Sequence, residues 1–144
     1  MTCPFCRIAA GEIEAVIVHE DDEIVAFLDI APIRPAHTQI MPRRHIETFE
    51  RLPAGLAARM LRLGQELAQR MKAVYHVERV AFLFTGSDVP HAHAHVIPMH
   101  ETTDITSARY IVEPFVLRMS SEHLRADHRT LSRVREELAF VPSR

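Results

Sequence analysis

The chain of 144 residues has no long hydrophobic run and no large excess of charge of either sign. A membrane-spanning helix needs about 20 consecutive apolar residues, and no segment approaches that length. The N-terminal sequence MTCPFCRIAAGE lacks the charged region and apolar stretch of a signal peptide. The net charge of −2 provides no basic field for nucleic acid. These absences predict a cytoplasmic globular protein whose main partner is neither a membrane nor a nucleic acid.

Glycine is scarce, with four residues in the whole chain, and the familiar glycine-dependent motifs are missing. No G-x-G-x-x-G or Walker sequence is present, so the usual glycine-rich loops that bind phosphate are absent. No G-x-S-x-G sequence is present either, which leaves a serine-hydrolase triad without support.

The two cysteines, Cys3 and Cys6, form a C-x-x-C sequence and are the whole thiol content. In a reducing compartment such a pair is more often metal-binding or redox-active than a structural disulfide. The spacing alone does not decide between these two roles.

Hydrophobic periodicity predicts both helices and strands. Residues 54–75 repeat apolar residues at steps of three and four, which indicates an amphipathic helix with a buried stripe. A helical turn closed by Gly11 is predicted at the N terminus, and a polar, moderately amphipathic helix is predicted over 121–140. Short apolar runs indicate strands at residues 15–19, 24–28, 37–45, 79–84 and 91–97.

This order of elements predicts an α+β fold. We expect a mainly antiparallel sheet with one long helix packed on it, followed by a C-terminal helical extension. The length fits a single domain over residues 1–144. Its core is expected at about 3–99 and the extension at about 100–144.

Three histidines, His91, His93 and His95, alternate with small apolar residues in the sequence HAHAHVIP. In a strand ending at Pro98, all three imidazoles would lie on one face, whereas a helix would turn His93 away from the other two. A solvated row of histidines is the simpler alternative. Neutral histidine can act as a metal ligand, a nucleophile or a general acid or base, so the three rings need not share one role.

The segment from residue 3 to about 99 resembles the histidine triad (HIT) family. The signature His-φ-His-φ-His-φ-φ, with φ apolar, is matched by HAHAHVI, and the upstream sequences FLDIAP and MPRRHI occur in the expected order. The resemblance implies a nucleotide hydrolase or transferase that acts at the α-phosphate. His93 would attack phosphorus to form a covalent nucleotidyl-histidine intermediate, and His95 would donate to a phosphate oxygen.

The resemblance also implies a nucleotide-binding site. Asp29 would accept hydrogen bonds from the ribose hydroxyls, although a plain turn or capping role is the alternative for this residue. Apolar residues that would line the base pocket, each of which could instead be ordinary core, are Phe5, Ile8, Ile13, Phe27 and Ile30. The implied substrate is a purine nucleotide or dinucleotide, and a homodimer is expected from the resemblance alone.

Some members with a C-x-x-C N terminus bind zinc. The resemblance implies a structural zinc held by Cys3, Cys6, His45 and His91, which together make a complete Cys₂His₂ set. Two free thiols or a redox pair are the alternatives.

The loop TGSDVP departs from the family pattern, in which an Asn and a Gln upstream of the triad contact phosphate and the leaving group. Here Phe84 falls near the expected Asn, no Gln is present, and Ser87 or Asp88 would have to substitute. Two functions therefore stay open beside hydrolysis of nucleoside phosphoramidates or dinucleoside polyphosphates. One is a nucleotide-binding regulator with little turnover, and the other is a redox or metal-sensing module.

Overall fold

The computed structural model describes residues 3–86, 88–105, 111–113, 116–119 and 124–142. Its elements in chain order are α1 (Pro4–Ala9), β1 (Ile17–Glu20), β2 (Ile24–Leu28), β3 (Thr38–Pro42), a 3-10 turn (Phe49–Arg51), α2 (Ala54–Tyr75), β4 (Arg79–Phe84), β5 (Ala94–Met99), β6 (Ile111–Glu113), β7 (Val116–Met119) and α3 (His128–Leu138). Among the helices that these residues form, none combines the length and the apolar character needed to cross a lipid bilayer.

Five strands form one antiparallel sheet in the order β1–β2–β3–β5–β4, and β6 pairs with β7 in a separate hairpin. Phe27 of β2 lies opposite Gln39 of β3, which in turn lies opposite His95 of β5. Because directly paired residues present their side chains on the same face, these three form a row across the sheet. The predicted α+β fold, with a mainly antiparallel sheet and one long helix, is confirmed.

One face of the sheet packs against α2. The predicted apolar stripe of this helix is confirmed, since the residues it buries are Leu56, Met60, Leu63, Gly64, Leu67 and Met71. They share one cluster with Ala26, Ile40 and Val96 of the sheet. Burial of each large aliphatic side chain stabilises the fold by about 1.5–3 kcal/mol, so this layer supplies much of the driving force for folding.

The opposite face of the sheet is covered by the short helix α1. Phe5 and Cys6 of α1 pack with Val25, Phe27 and Met41 in a second buried cluster. Gly11 has a φ of +74° just beyond the helix, which suits glycine and ends α1 as predicted. The C-x-x-C segment is thereby held on the sheet face that carries the row from Phe27 to His95.

The start of β5 differs from the prediction. The strand begins at Ala94, so His91 and His93 lie in the segment before it. In this segment the Ala92 N–H donates to the Ile46 carbonyl oxygen at 2.6 Å, rather than to a neighbouring strand. The histidines therefore do not follow one regular strand.

The predicted end of β5 at Pro98 was also wrong, because the strand continues to Met99. Pro98 lies opposite Val80 of β4, whereas the pairing with β3 ends at Val96. A proline is tolerated here because one side of the strand has no neighbour that needs its missing N–H.

The C-terminal helix α3 is shorter than the helix predicted over 121–140, of which 121–123 lie outside the described residues. Asp127 caps it by accepting a hydrogen bond from the Thr130 N–H at 2.7 Å. The helix adds its buried face to the α2 cluster through Leu131, Val134 and Leu138. The hairpin of β6 and β7 had no counterpart in the sequence prediction.

A buried ion pair joins the loop after β2 to the segment after β5. The Arg34 guanidinium donates to both carboxylate oxygens of Asp104, at 2.9 and 2.7 Å. The Asp104 side chain is fully buried and also accepts from the N–H groups of His100 and Glu101. Because removal of one partner leaves a buried charge unpaired, this pair holds the two segments together.

We expect Asp104→Asn to lower the free energy of unfolding at pH 7 by about 2–4 kcal/mol. Burial alone would raise the pKa of Asp104, but hydrogen bonds from Arg34 and from two backbone N–H groups lower it to about 2, from an ordinary 3.8. The contribution of the ion pair to the free energy of unfolding is therefore complete above about pH 4, and it is lost as the pH falls through about 2.

Urea denaturation of the wild type and the variant at a series of pH values tests this expectation. The difference in stability should narrow as the medium is acidified below about pH 4. Asp22→Asn, which removes an exposed carboxylate, is the matched control and should change stability by no more than about 0.5 kcal/mol. If Asp104→Asn and Asp22→Asn lowered the free energy of unfolding equally, a structural role for the ion pair would be contradicted.

Candidate functional site

The three histidines of HAHAH lie close together but make different contacts. The rings of His93 and His95 are 4.9 Å apart between centroids, and the Phe5 ring meets His93 edge-on at 4.9 Å. His91 is fully buried, and its ring lies 5.1 Å from that of His45. The expected single face is therefore wrong for His91, which belongs with the cysteines, while His93 and His95 remain neighbours.

The proton on the His93 ring can be assigned from its surroundings. Nδ1 lies 2.6 Å from the carbonyl oxygen of His91, and a carbonyl oxygen can only accept, so Nδ1 carries the hydrogen. A neutral imidazole with its hydrogen on Nδ1 has its lone pair on Nε2. This arrangement suits a nucleophile, because one ring nitrogen is held by the backbone while the other has a free electron pair.

His95 is held by His37, for which the sequence analysis predicted no role in the site. The Nε2 atom of His37 lies 2.9 Å from Nδ1 of His95, and the Ile33 N–H donates to Nδ1 of His37 at 3.2 Å. The Nε2 atom of His95 lies 3.3 Å from the Thr85 hydroxyl. His37, Gln39 and Met41 alternate along the chain, and this spacing could have placed His37 on the site face.

The rings of His37 and His95 are neutral at ordinary pH. Burial lowers the pKa of His37. Burial, with repulsion from His37 and His93, lowers the pKa of His95 to about 3. Two adjacent buried imidazoles therefore exchange a hydrogen bond as neutral groups rather than repelling each other as cations.

Asp29 makes both a turn and a contact with this cluster. One carboxylate oxygen accepts from the Ala31 N–H at 2.8 Å, which is the turn bond that formed the simpler alternative. The other accepts from Nε2 of Gln39 at 2.6 Å and lies 3.6 Å from Nε2 of His37. The carboxylate therefore faces the histidines as well as its own loop.

The residues expected in a base pocket are only partly brought together. Phe5 and Phe27 meet edge-to-face at 5.4 Å, next to His93. Ile8 and Ile13 line a cavity of about 410 Å³ that is lined by neither Phe5 nor Phe27. Ile30 is half exposed and lines a different cavity, beside the start of α3. Ser87 lies outside the described residues.

The four expected metal ligands do converge. The ligand atoms of Cys3, Cys6, His45 and His91 all lie within 4.8 Å of one another. Nδ1 of His91 is 3.5 Å from each sulfur, and Nδ1 of His45 is 3.2 Å from the sulfur of Cys6. Tetrahedral zinc with bonds of about 2.0–2.3 Å places neighbouring ligand atoms about 3.3–3.8 Å apart, so these distances suit a metal ion.

The hydrogen bonding and the protonation of His91 also suit a cation. Nε2 of His91 donates to the Pro42 carbonyl oxygen at 2.8 Å, which directs the lone pair of Nδ1 at the two sulfurs. Burial lowers the pKa of His91, so its ring is neutral. Burial and the neighbouring Cys3 raise the pKa of Cys6, and a bound cation would offset this cost of forming thiolates. The arrangement is thus a candidate metal site.

A second group of potential ligands consists of Asp29, His37 and His95, whose ligand atoms also lie within 4.8 Å of one another. The hydrogen bond from His37 to His95 occupies the nitrogens that would have to face an ion. We therefore assign this group to hydrogen bonding rather than to a metal.

The chain is similar to known proteins in sequence and in fold. The HIT domain family matches residues 10–102. An uncharacterized HIT-like protein of Methanocaldococcus jannaschii is 33% identical over 103 residues, which cover 69% of this chain and 80% of the relative.

Two solved structures are also similar. A zinc-bound histidine triad family protein from Mycobacterium smegmatis has a TM-score of 0.68 at 26% identity, covering 96% of each chain. A HIT family hydrolase from Legionella pneumophila has a TM-score of 0.62 at 34% identity, covering 69% of this chain and 95% of that one. The match to the family over residues 10–102 and the 33% identity to the relative from Methanocaldococcus jannaschii show that the chain belongs to the histidine triad (HIT) family.

Proposed function

We propose that the protein hydrolyses or transfers nucleotides at the α-phosphate through a covalent nucleotidyl-histidine intermediate. Membership of the HIT family supports nucleotide binding, and one structural neighbour is named a HIT family hydrolase. The observation that carries the proposal is the His93 ring, whose Nδ1–H is bound to a backbone carbonyl while Nε2 keeps its lone pair beside His95. Nucleoside phosphoramidates and dinucleoside polyphosphates are the substrate classes that this chemistry suits.

In the first step, the lone pair on Nε2 of His93 forms a bond to phosphorus. The bond from phosphorus to the leaving amine or phosphate breaks, its electron pair departs with the leaving group, and a leaving amine takes up a proton from water as it departs. The ring becomes positive, and the His91 carbonyl dipole stabilises this charge through the Nδ1–H. Water then attacks phosphorus and releases a proton to the solvent, while the electron pair of the N–P bond returns to Nε2 and restores His93.

A chain of hydrogen bonds determines which nitrogen of His95 carries a proton. The Ile33 N–H requires a lone pair on Nδ1 of His37, so the neutral His37 ring carries its proton on Nε2. That proton is donated to Nδ1 of His95, which leaves the hydrogen of His95 on Nε2. An Nε2–H beside the Thr85 hydroxyl can donate to a phosphate oxygen without a change of protonation.

The candidate metal site is proposed to hold zinc. The ligand set and its spacing support this, as does the zinc-bound relative from Mycobacterium smegmatis. The metal would cross-link the N-terminal segment to the histidine loop and keep Phe5 against His93. Because His91 contributes its Nδ1 to this site, its ring takes no part in the proton chemistry.

A nucleotide-binding regulator with little turnover is the second candidate. In the loop before β5, the Thr85 hydroxyl lies 3.3 Å from Nε2 of His95. No Asn or Gln is present in this loop to bind a leaving group. Binding and turnover must therefore be measured separately.

Incubation of the wild type with a radiolabelled nucleoside phosphoramidate should trap a nucleotidyl group on His93, because its Nε2 is the available nucleophile. We expect His93→Ala to form no adduct and to lose at least about 10³-fold in kcat/KM. Mass spectrometry of the peptide containing residues 91–99 locates the adduct. His128→Gln, on the surface of α3, is the control and should retain turnover. Tight nucleotide binding without an adduct or turnover would support the regulator instead.

NMR of protein labelled with ¹⁵N in its histidine rings tests the hydrogen-bond chain. The pKa of His95 is about 3, so we expect its ring to stay neutral, with the hydrogen on Nε2, down to about pH 5. The signal missing from His95→Gln identifies the resonance. A His95 ring that takes up a proton between about pH 6 and 7, as an ordinary histidine does, would be inconsistent with this chain.

Metal analysis of the purified protein should find one zinc ion per chain. Cys3→Ser and Cys6→Ser should each weaken zinc binding by at least about 100-fold, because each removes a thiolate from a closed four-ligand site. His128→Gln should keep its zinc. Metal-free protein with two reactive thiols, obtained without a chelator, would show that the cysteines serve another purpose.

A further inference from the structure

Thr85 borders the site from the edge of the sheet, on the side of His95 that faces away from Phe27. Leu83 of β4 is paired with His95, so the row from Phe27 to His95 continues onto this edge strand. Thr85 follows β4 two residues beyond Leu83 and therefore continues on the same face of the sheet. Neighbouring strands are about 4.8 Å apart, so β4 lies much closer to His95 than β2 does.

The hydrogen-bond chain through His95 ends at the Thr85 hydroxyl. It runs from the Ile33 N–H to His37 and on to His95, and it leaves the hydrogen of His95 on Nε2. Nε2 lies 3.3 Å from Oγ1 of Thr85, so the ring donates to the hydroxyl oxygen. A hydroxyl group that accepts through its oxygen still has its own hydrogen to donate. Because Thr85 is exposed, that hydrogen is accessible to a bound ligand.

A nucleotide bound at this site would place its leaving group on the same side as Thr85. We expect the base to lie at Phe5 and Phe27, which meet beside His93, so the nucleoside extends from phosphorus toward β2. The leaving group occupies another corner of the phosphorus tetrahedron and lies on the opposite side, toward β4. The Thr85 hydroxyl is on this side, next to the Nε2 atom of His95 that would contact the phosphate.

We propose that Thr85 is a further catalytic residue, whose hydroxyl donates a hydrogen bond to the leaving atom of the substrate. The inference rests on the proposed nucleotide function and extends it to the departure of the leaving group. As the bond from phosphorus breaks, its electron pair passes to the leaving nitrogen or oxygen, and the Thr85 hydrogen stabilises the negative charge that develops there. Thr85 keeps its proton, so a leaving amine is still protonated by water.

Two features of the sequence and the structure strengthen this role. The loop TGSDVP contains no Asn or Gln, so a hydrogen-bond donor for the leaving group must come from another side chain. The donors that precede Thr85 in the chain polarise its hydroxyl, which makes the hydroxyl a stronger donor than an isolated one. A leaving group that carries more negative charge in the transition state should therefore depend more on Thr85.

Single-turnover kinetics on the full chain as purified, with the enzyme in saturating excess, measures formation of the His93 adduct free of substrate binding. The substrates are adenosine 5′-phosphoramidates of substituted anilines, from an electron-rich aniline to a nitroaniline. They share one nucleotide and one leaving atom, and they differ in how well the ring withdraws negative charge from the leaving nitrogen.

We expect Thr85→Val, which keeps the shape of the side chain without its hydroxyl, to slow adduct formation about 30-fold with the most electron-rich aniline. With the nitroaniline the loss should be less than about threefold, because the nitro group already stabilises the charge. Thr85→Ser keeps the hydroxyl and should stay within about threefold of the wild type throughout the series. Thr103→Val, at an exposed position in the turn after β5, is the matched control and should leave every rate unchanged.

The inference is overturned if Thr85→Val slows the whole series equally, since Thr85 would then act through His95 on the phosphate. It is also overturned if Thr85→Val has wild-type rates, or if Thr85→Ser is as slow as Thr85→Val. Each of these results leaves the proposed function intact. A wild type that forms no adduct from any anilide would overturn the proposed function and the inference together.

Discussion

The hydrogen bond from Nδ1 of His93 to the carbonyl oxygen of His91 links the two halves of the site. The same residue that supplies this carbonyl points its side chain at Cys3 and Cys6. Any shift of the His91 backbone would therefore disturb the candidate metal site and the lone pair of His93 together. This shared residue would couple the proposed nucleophile to a proposed ligand set that takes no part in the chemistry.

A second set of contacts organises the other side of the site. The loop after β2 provides Asp29 and His37, and the Arg34–Asp104 ion pair anchors that loop to the segment after β5. A further backbone hydrogen bond joins the Ala126 N–H to the Ile30 carbonyl oxygen. The C-terminal part of the chain thus braces the loop that holds His95, although it lies outside the region that resembles the family by sequence.

Much of the fold and part of the site could be predicted because the signals are local. The α2 stripe follows helical periodicity, and HAHAHVI with C-x-x-C identified the metal and nucleophile candidates. The β6–β7 hairpin was not predicted, and β5 was predicted to begin at residue 91 instead of Ala94. Both features are decided by tertiary pairing and not by a local sequence pattern. The contact between His37 and His95 was not predicted either, since it joins residues distant in sequence. The expected homodimer stays a prediction.

By itself the sequence determined which chemical groups are present: three alternating imidazoles, two thiols, a carboxylate at Asp29 and the stripe that buries α2. Only the tertiary structure decided which contacts each of these groups makes. It turned His91 toward the cysteines, joined His37 to His95, and placed Gln39 beside Asp29 with one amide oxygen unpaired. The physical reason is that hydrogen-bond partners and burial set the protonation and the free lone pairs of each group, and these depend on contacts between separate segments.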